Sequence, residues 1–231
     1  MLTLRPSHER GTADYGWLKP NFSFSFGEYH DPKWMGYRAL RVINEDRIAP
    51  SMGFDTHGHR DMEIITVVIK GALAHRDRMN GKVHEASLRP GRVQRMSAGF
   101  GVRHSEFNAS ETQELHLMQV WIQPSANGLD PRYDEKEFPL EARGLTLLCS
   151  PDGRDNSLPI YQDADLYLAK LAGNAPAALA LRPGRGAWVQ VFAGGLTVNG
   201  TAMKAGDGAI IEGEPQVTLE GAGEALVFDL K

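Results

Sequence analysis

The chain holds a single cysteine, Cys149, among 231 residues, which excludes an internal disulfide and leads us to expect a reducing compartment and a buried, inert thiol. No stretch approaches the ~20 consecutive apolar residues of a membrane-spanning helix. The opening residues MLTLRPSHER also lack the apolar centre of an export signal. A cytoplasmic protein without membrane contact is the expectation. Basic residues are not in excess either: 25 Lys and Arg stand against 29 Asp and Glu, a formal net charge of −4. Such a balance argues against a surface built for nucleic-acid phosphates. At this length roughly 70–75% of the unfolded chain's surface can be buried, so no metal is needed to staple the fold together. A metal site in this chain therefore has a functional meaning.

What is present is punctuation. The 25 glycines and 13 prolines separate short runs rich in Val, Ile, Leu and Phe, a texture that predicts an all-β chain. The clearest unit is Ile64–Gly71 (IITVVIKG) followed by two short segments flanking Asn80-Gly81, a pair that supplies the positive φ values of a tight hairpin turn. A two-residue loop there sets Asp77 opposite His84 and Arg76 opposite Glu85, which explains those charges by cross-strand pairing. The same series of strand, glycine, short strand, Asn-Gly, short strand, glycine turn and strand recurs from Trp188 through Asn199-Gly200 to Leu230. Two related β-units are predicted, residues 1–135 and 136–231, with one helical turn around Asp134–Phe138 near the boundary.

The stretch Asp55–Glu63 reads DTHGHRDME. Residues i and i+2 of a strand share a face, so His57 and His59 aim the same way. In Val102–Asn108 (VRHSEFN), after the glycine-rich SAGFG, His104 and Glu106 repeat that spacing. Three imidazoles and one carboxylate on a β scaffold suit a divalent ion such as Fe(II), Ni, Cu, Mn, Co or Zn. All eight histidines lie in the first 116 residues. Matching the two repeats at their glycines puts Ala180 and Arg182 where His57 and His59 stand, and Leu219 and Gly221 near His104 and Glu106. The second unit is therefore expected to lack a metal. Spacing alone leaves open whether Glu63 or Glu106 completes the site.

The segments Gly11–Pro32, Leu40–Asp46, Thr56–Glu63 and Ser97–Asn108, continuing through Asn127–Tyr133 and Ser150–Leu158, resemble the pirin family of the cupin superfamily. That resemblance implies a bicupin of two jelly-roll-like β-barrels packed face to face. It implies a metal in the first, held by His57, His59, His104 and Glu106, with Glu63 in a supporting role. It further implies one divalent ion, Fe(II) by preference, and a quercetin 2,3-dioxygenase activity: ring opening of a flavonol by O2 with release of CO. Glu106 would then serve as the general base. The competing reading is a metal-bearing sensor that acts through a protein partner, and in either role a monomer is expected. Three other features read plainly. Trp17, Phe22, Phe24, Phe26 and Trp34 are expected in the core, His116 is expected to be a hydrogen-bonded core histidine, and Gly99-Phe-Gly101 is not a phosphate loop, since no helix or lysine follows it.

Overall fold

Leu73–Met79 reads LAHRDRM, and its burial alternates: Leu73, His75, Asp77 and Met79 are buried while Ala74, Arg76 and Arg78 are exposed. Period-two burial marks a strand with one wet face. The computed structural model describes residues 1–173 and 175–231, and such strands dominate it. Four of them, in the order Gly53–His59, Val102–Asn108, Leu73–Met79, Lys82–Leu88, form one sheet. A seven-stranded sheet lies against it, ordered Arg132–Glu137, Arg92–Ser97, Glu63–Lys70, Leu115–Ile122, Leu40–Ile48, Leu18–Phe22, Gly11–Thr12. Leu18, Ile48, Leu73, Leu88 and Leu115 seal one end of the space between the sheets, and Ile64, Met79, Met96 and Val102 seal the other.

The second unit is a nine-stranded sheet folded upon itself. Gly186–Val198 pairs with Gly208–Ile211 along its first part and with Thr201–Lys204 along its last. Gln216–Leu230 likewise changes partner, from Ala177–Ala180 to Ala164–Ala172. Its interior is apolar, with Ala187, Val189, Leu196, Met203, Val217, Leu219 and Val227 buried together. The largest core lies between the units. There Leu40, Ile43, Ile65, Val93, Met118 and Val120 of the seven-stranded sheet meet Leu148, Leu166, Trp188, Leu226 and Phe228 of the second.

The all-β, two-unit jelly-roll architecture matches the expectation. Among the described residues the sheets stay open, however, and do not close into hydrogen-bonded barrels. Charged edge strands end them, Lys82–Leu88 in one and Arg132–Glu137 in another. Two further expectations need correction. Asp134–Phe138 holds no helical turn, because Arg132–Glu137 (RYDEKE) is a strand paired with Arg92–Ser97 in which Asp134 opposes Arg95 and Glu135 bonds Arg92. Polar composition suggested a loop, yet opposite charges across a ladder stabilise an edge. Phe22 and Phe24 are core, but Trp17 and Phe26 are only partly buried and wall a cavity. Both Asn-Gly pairs sit in hairpins with positive φ at Asn80, Gly81, Asn199 and Gly200, and Arg76–Glu85 and Asp77–His84 stand opposite one another as the sequence indicated.

The crossing of chain between units is unexpected. Leu2–Arg5 pairs with Gly208–Ile211, so the first strand of the chain belongs to the second unit's sheet.

Candidate metal centre

Val102–Asn108 lies in the middle of the small sheet, and its register decides what meets what. On one side His104 stands directly opposite His57, and Val102 opposite His59. A bulge between His104 and Glu106 shifts the next pair to Glu106 and Phe54. On the other side Glu106 faces His75, and His104 faces Asp77. Opposed residues of an antiparallel pair share a face, so all these side chains point inward.

The imidazole centroids of His57, His59 and His104 form a triangle with sides of 4.9, 4.4 and 4.8 Å. Their nitrogens form one group of convergent ligand atoms within 4.8 Å of one another, and His75, His104 and Glu106 form a second that shares His104. Among the described residues both groups lie in the first unit. Several atoms there have no partner: both ring nitrogens of His104, Nδ1 of His75 and Oε1 of Glu106. Buried polar atoms are nearly always satisfied, so a cluster of unpartnered imidazole and carboxylate atoms is the donor set a cation would satisfy. His57 places its Nδ1 2.8 Å from the Asp55 carbonyl oxygen, an arrangement that turns Nε2 into the cavity as a lone pair. These residues fit a divalent ion.

The electrostatics agree. Burial, reinforced by neighbouring imidazoles, pushes His59 down to about 4 and His104 down to about 3, so both stand neutral and able to ligate. Burial works against ionisation of Glu106, but the contact with His75 and the nearby imidazoles outweigh it and hold the carboxyl below its usual range. Gln119 Nε2 donates to Glu106 Oε2 at 2.9 Å, while Oε1 makes no hydrogen bond. Behind Glu106 runs a chain the sequence did not reveal as functional: His75 Nδ1 lies 3.6 Å from Glu106 Oε1, His75 Nε2 3.1 Å from Asp77, and Asp77 3.0 Å from His84 Nδ1. Its only signal was His75-Arg-Asp77, a second His-x-acid alternation next to the ligand strands.

Glu63 belongs to neither group. It accepts a hydrogen bond from Ser97 Oγ at 2.7 Å on the opposite face of its strand, towards the second unit. His116 is a buried histidine bonded to Glu45 at 2.9 Å, and Cys149 is fully buried with its thiol pushed up by that burial. The candidate ligands open onto a cavity of about 490 Å³ whose other walls are the aromatic Trp17, Phe26, Phe54 and Trp121 and the polar Asn44, Asp46 and Gln119.

Residues 3–122 match the Pirin family, and residues 147–230 match the quercetinase C-terminal cupin domain. The chain belongs to the pirin family. The quercetin 2,3-dioxygenase of Escherichia coli K12 is 43% identical to this pirin over 232 residues, covering 100% of this chain and 99% of that one. A pirin-like protein of Caulobacter vibrioides is 40% identical over 95% of this chain and 94% of its own. The crystal structure of the bacterial pirin YhhW from E. coli in complex with nickel(II) superposes with a TM-score of 0.94 at 43% identity, over 100% of this chain and 99% of that one. The two matched segments make this pirin a bicupin, and among the described residues no helix is long and apolar enough to cross a membrane.

Proposed function

We propose that this chain is a metal-dependent dioxygenase that opens the central ring of quercetin-like flavonols with O2 and releases CO. The observation that carries it is an aromatic-walled cavity of about 490 Å³ lined by His57, His59, His104 and Glu106, in which the three imidazoles form one group of ligand atoms and Glu106 forms a second with His104 and His75. The near full-length relative in E. coli bearing the quercetin 2,3-dioxygenase name supports the choice of reaction. On this reading residues 1–135 form the metal-bearing unit and 136–231 the supporting one. The protein works as a cytoplasmic monomer.

His57, His59, His104 and Glu106 hold the ion, and Fe(II) is the resident we assign. When bound, the ion supplies Lewis acidity that acidifies a hydroxyl and a place where O2 chemistry can begin. The protein does the rest. Trp17, Phe26, Phe54 and Trp121 offer flat apolar walls to a planar polyphenol and keep water scarce around it. Glu106 Oε1, buried beside His75 Nδ1 but without a hydrogen bond, accepts the proton of the flavonol 3-hydroxyl as general base. Gln119, bonded to the other carboxylate oxygen, fixes which lone pair is presented.

Elemental analysis of protein purified without chelators, paired with quercetin absorbance and oxygen uptake, tests this reading. One equivalent of a divalent metal and stoichiometric loss of quercetin and O2 are expected. His57→Ala, His104→Ala is expected to lose the metal and the turnover together. Retained metal in that variant overturns the ligand assignment, and bound metal without flavonol turnover favours a regulatory metal protein.

A further inference from the structure

A second cavity of about 490 Å³ is lined by residues of both charged edge strands, Lys82–Leu88 and Arg132–Glu137, and by Pro159 of the second unit. It shares no lining residue with the cavity of the candidate metal centre. We propose that it is a separate ligand site for a phosphate monoester, whose dianion is held by Arg95, Arg132 and Lys82. The proposal stands independently of the dioxygenase reading above.

Arg95 belongs to Arg92–Ser97 and lines the cavity, yet only 2% of it is exposed. For a guanidinium at that depth it is poorly held. Its Nη1 reaches Ser97 Oγ only at 3.5 Å, its Nη2 lies 3.8 Å from Asp134, and its Nε has no partner. Nε and Nη2 form one edge of the planar group, with which arginine grips two oxygens of a carboxylate or phosphate at once. That edge makes no hydrogen bond here, although buried donors are nearly always satisfied and a buried charge is costly without a close partner. Glu63 is the other carboxyl near Arg95; it accepts from Ser97 at 2.7 Å and does not line the cavity.

The other cations are presented rather than paired. The Arg132 guanidinium lies 3.8 Å over the ring of Tyr161, a contact that covers one face of the planar group and leaves its in-plane N–H groups able to donate. Lys82 stands at the start of its edge strand. Both line the cavity, and among the described residues neither forms an ion pair. Charges on edge strands often do no more than keep other edges away. That account does not cover Arg95, which is interior.

Charge selects the ligand. Lys82, Arg95 and Arg132 stand against a single carboxylate on the walls, Asp134, so two positive charges are left over, close to the charge of a phosphate monoester at neutral pH. Burial works against the charge of Arg95 and repulsion from Arg132 adds to it, with Glu63 and Asp134 opposing both. A dianion bound to both guanidiniums relieves that repulsion and satisfies the unpartnered edge. The remaining walls include Met79, Pro131, Tyr133 and Pro159, apolar or aromatic surface that suits the organic part of an ester.

Calorimetric titration with phenyl phosphate at ~0.15 M salt tests the site. A bound metal is a competing place for phosphate, so the metal-loaded protein and the same protein stripped by chelator are both titrated, and equal binding is expected. Phenyl sulfate, of the same shape with one charge fewer, and inorganic phosphate, which lacks the ring, should each bind at least about tenfold more weakly. The double variant Lys82→Ala, Arg132→Ala changes only exposed side chains and should weaken phenyl phosphate by at least about tenfold. Arg95→Lys, which keeps the charge and loses the two-pronged edge, should do the same at an unchanged melting temperature; if that variant unfolds, the exposed pair still decides. Four results would overturn the assignment: no heat with phenyl phosphate up to ~10 mM, binding that vanishes with the metal or survives the double variant, phenyl sulfate or inorganic phosphate binding as tightly, or a response to heparin alone, which marks a charged surface and not a site.

Discussion

Glu45 and Asp46 differ by one residue in the chain and by almost everything else in their surroundings. Glu45 has its carboxyl against Arg10 and His116, and although burial works against its ionisation, these bonds pull it down to about 2. A depressed folded-state value contributes stability that is present above the unfolded value near 4.5 and lost as pH falls towards 2. Glu45→Gln should therefore flatten the fall in stability between those limits by on the order of 2–3 kcal/mol, read as urea midpoints of metal-free protein at pH 6 and pH 3. His75 is the other residue whose worth is local. Its Nδ1 faces Glu106 Oε1, so His75→Phe should weaken metal retention by about 10–100-fold in a chelator competition, and His75→Asn, whose amide nitrogen reaches the same place, should restore part of it. The imidazole pairs at 57/59 and the pair at 104/106 were legible because alternation guarantees that such residues share a face. Asp46, His75 and Asp77 were not, because alternation says which residues share a face and not which face is the inner one.

At the scale of the element, strand register carries the site. Gly53 lies where the ligand strands pass closest: an added Cβ would sit 2.2 Å from the Glu106 carbonyl oxygen and 2.5 Å from the Phe107 Cα. Backbone cannot yield as a side-chain tip can. Gly53→Ala should push the two strands apart beside the bulge, destabilise the fold by about 1–3 kcal/mol and release metal more readily, visible in melting curves and in metal content after dialysis. The hairpins at Asn80-Gly81 and Asn199-Gly200 were legible because positive φ at two successive residues selects those residue types. Arg132–Glu137 was not, since its partner lies about forty residues back in the chain and no local signal distinguishes a charged edge strand from a loop. The bulge between His104 and Glu106 was invisible for the same reason: it is a property of a pair of strands.

For the whole molecule, the decisive feature is that the largest core belongs to neither unit alone. Trp188 is fully buried between them, 4.6 Å from Phe24 and 5.9 Å from Trp34 between ring centroids. Trp188→Ala should cost about 3–5 kcal/mol, and the loss should appear as a shift of one cooperative transition followed by both near-UV dichroism and metal release. Two separated transitions would show that the shared core does not couple the units. The sequence by itself determined the strand-rich class, the doubling of the unit, the hairpin turns and the shared faces of His57 with His59 and His104 with Glu106, because each follows from periodicity or from a backbone angle that few residue types tolerate; the choice of Glu106 over Glu63 came from the family resemblance. Only the tertiary structure decided which unit the first strand completes, that the sheets stay open, and that Glu106 is backed by His75 while Asp46 lines the same cavity. Those are relations between strands distant in the chain, and they are set by which surfaces can be buried together.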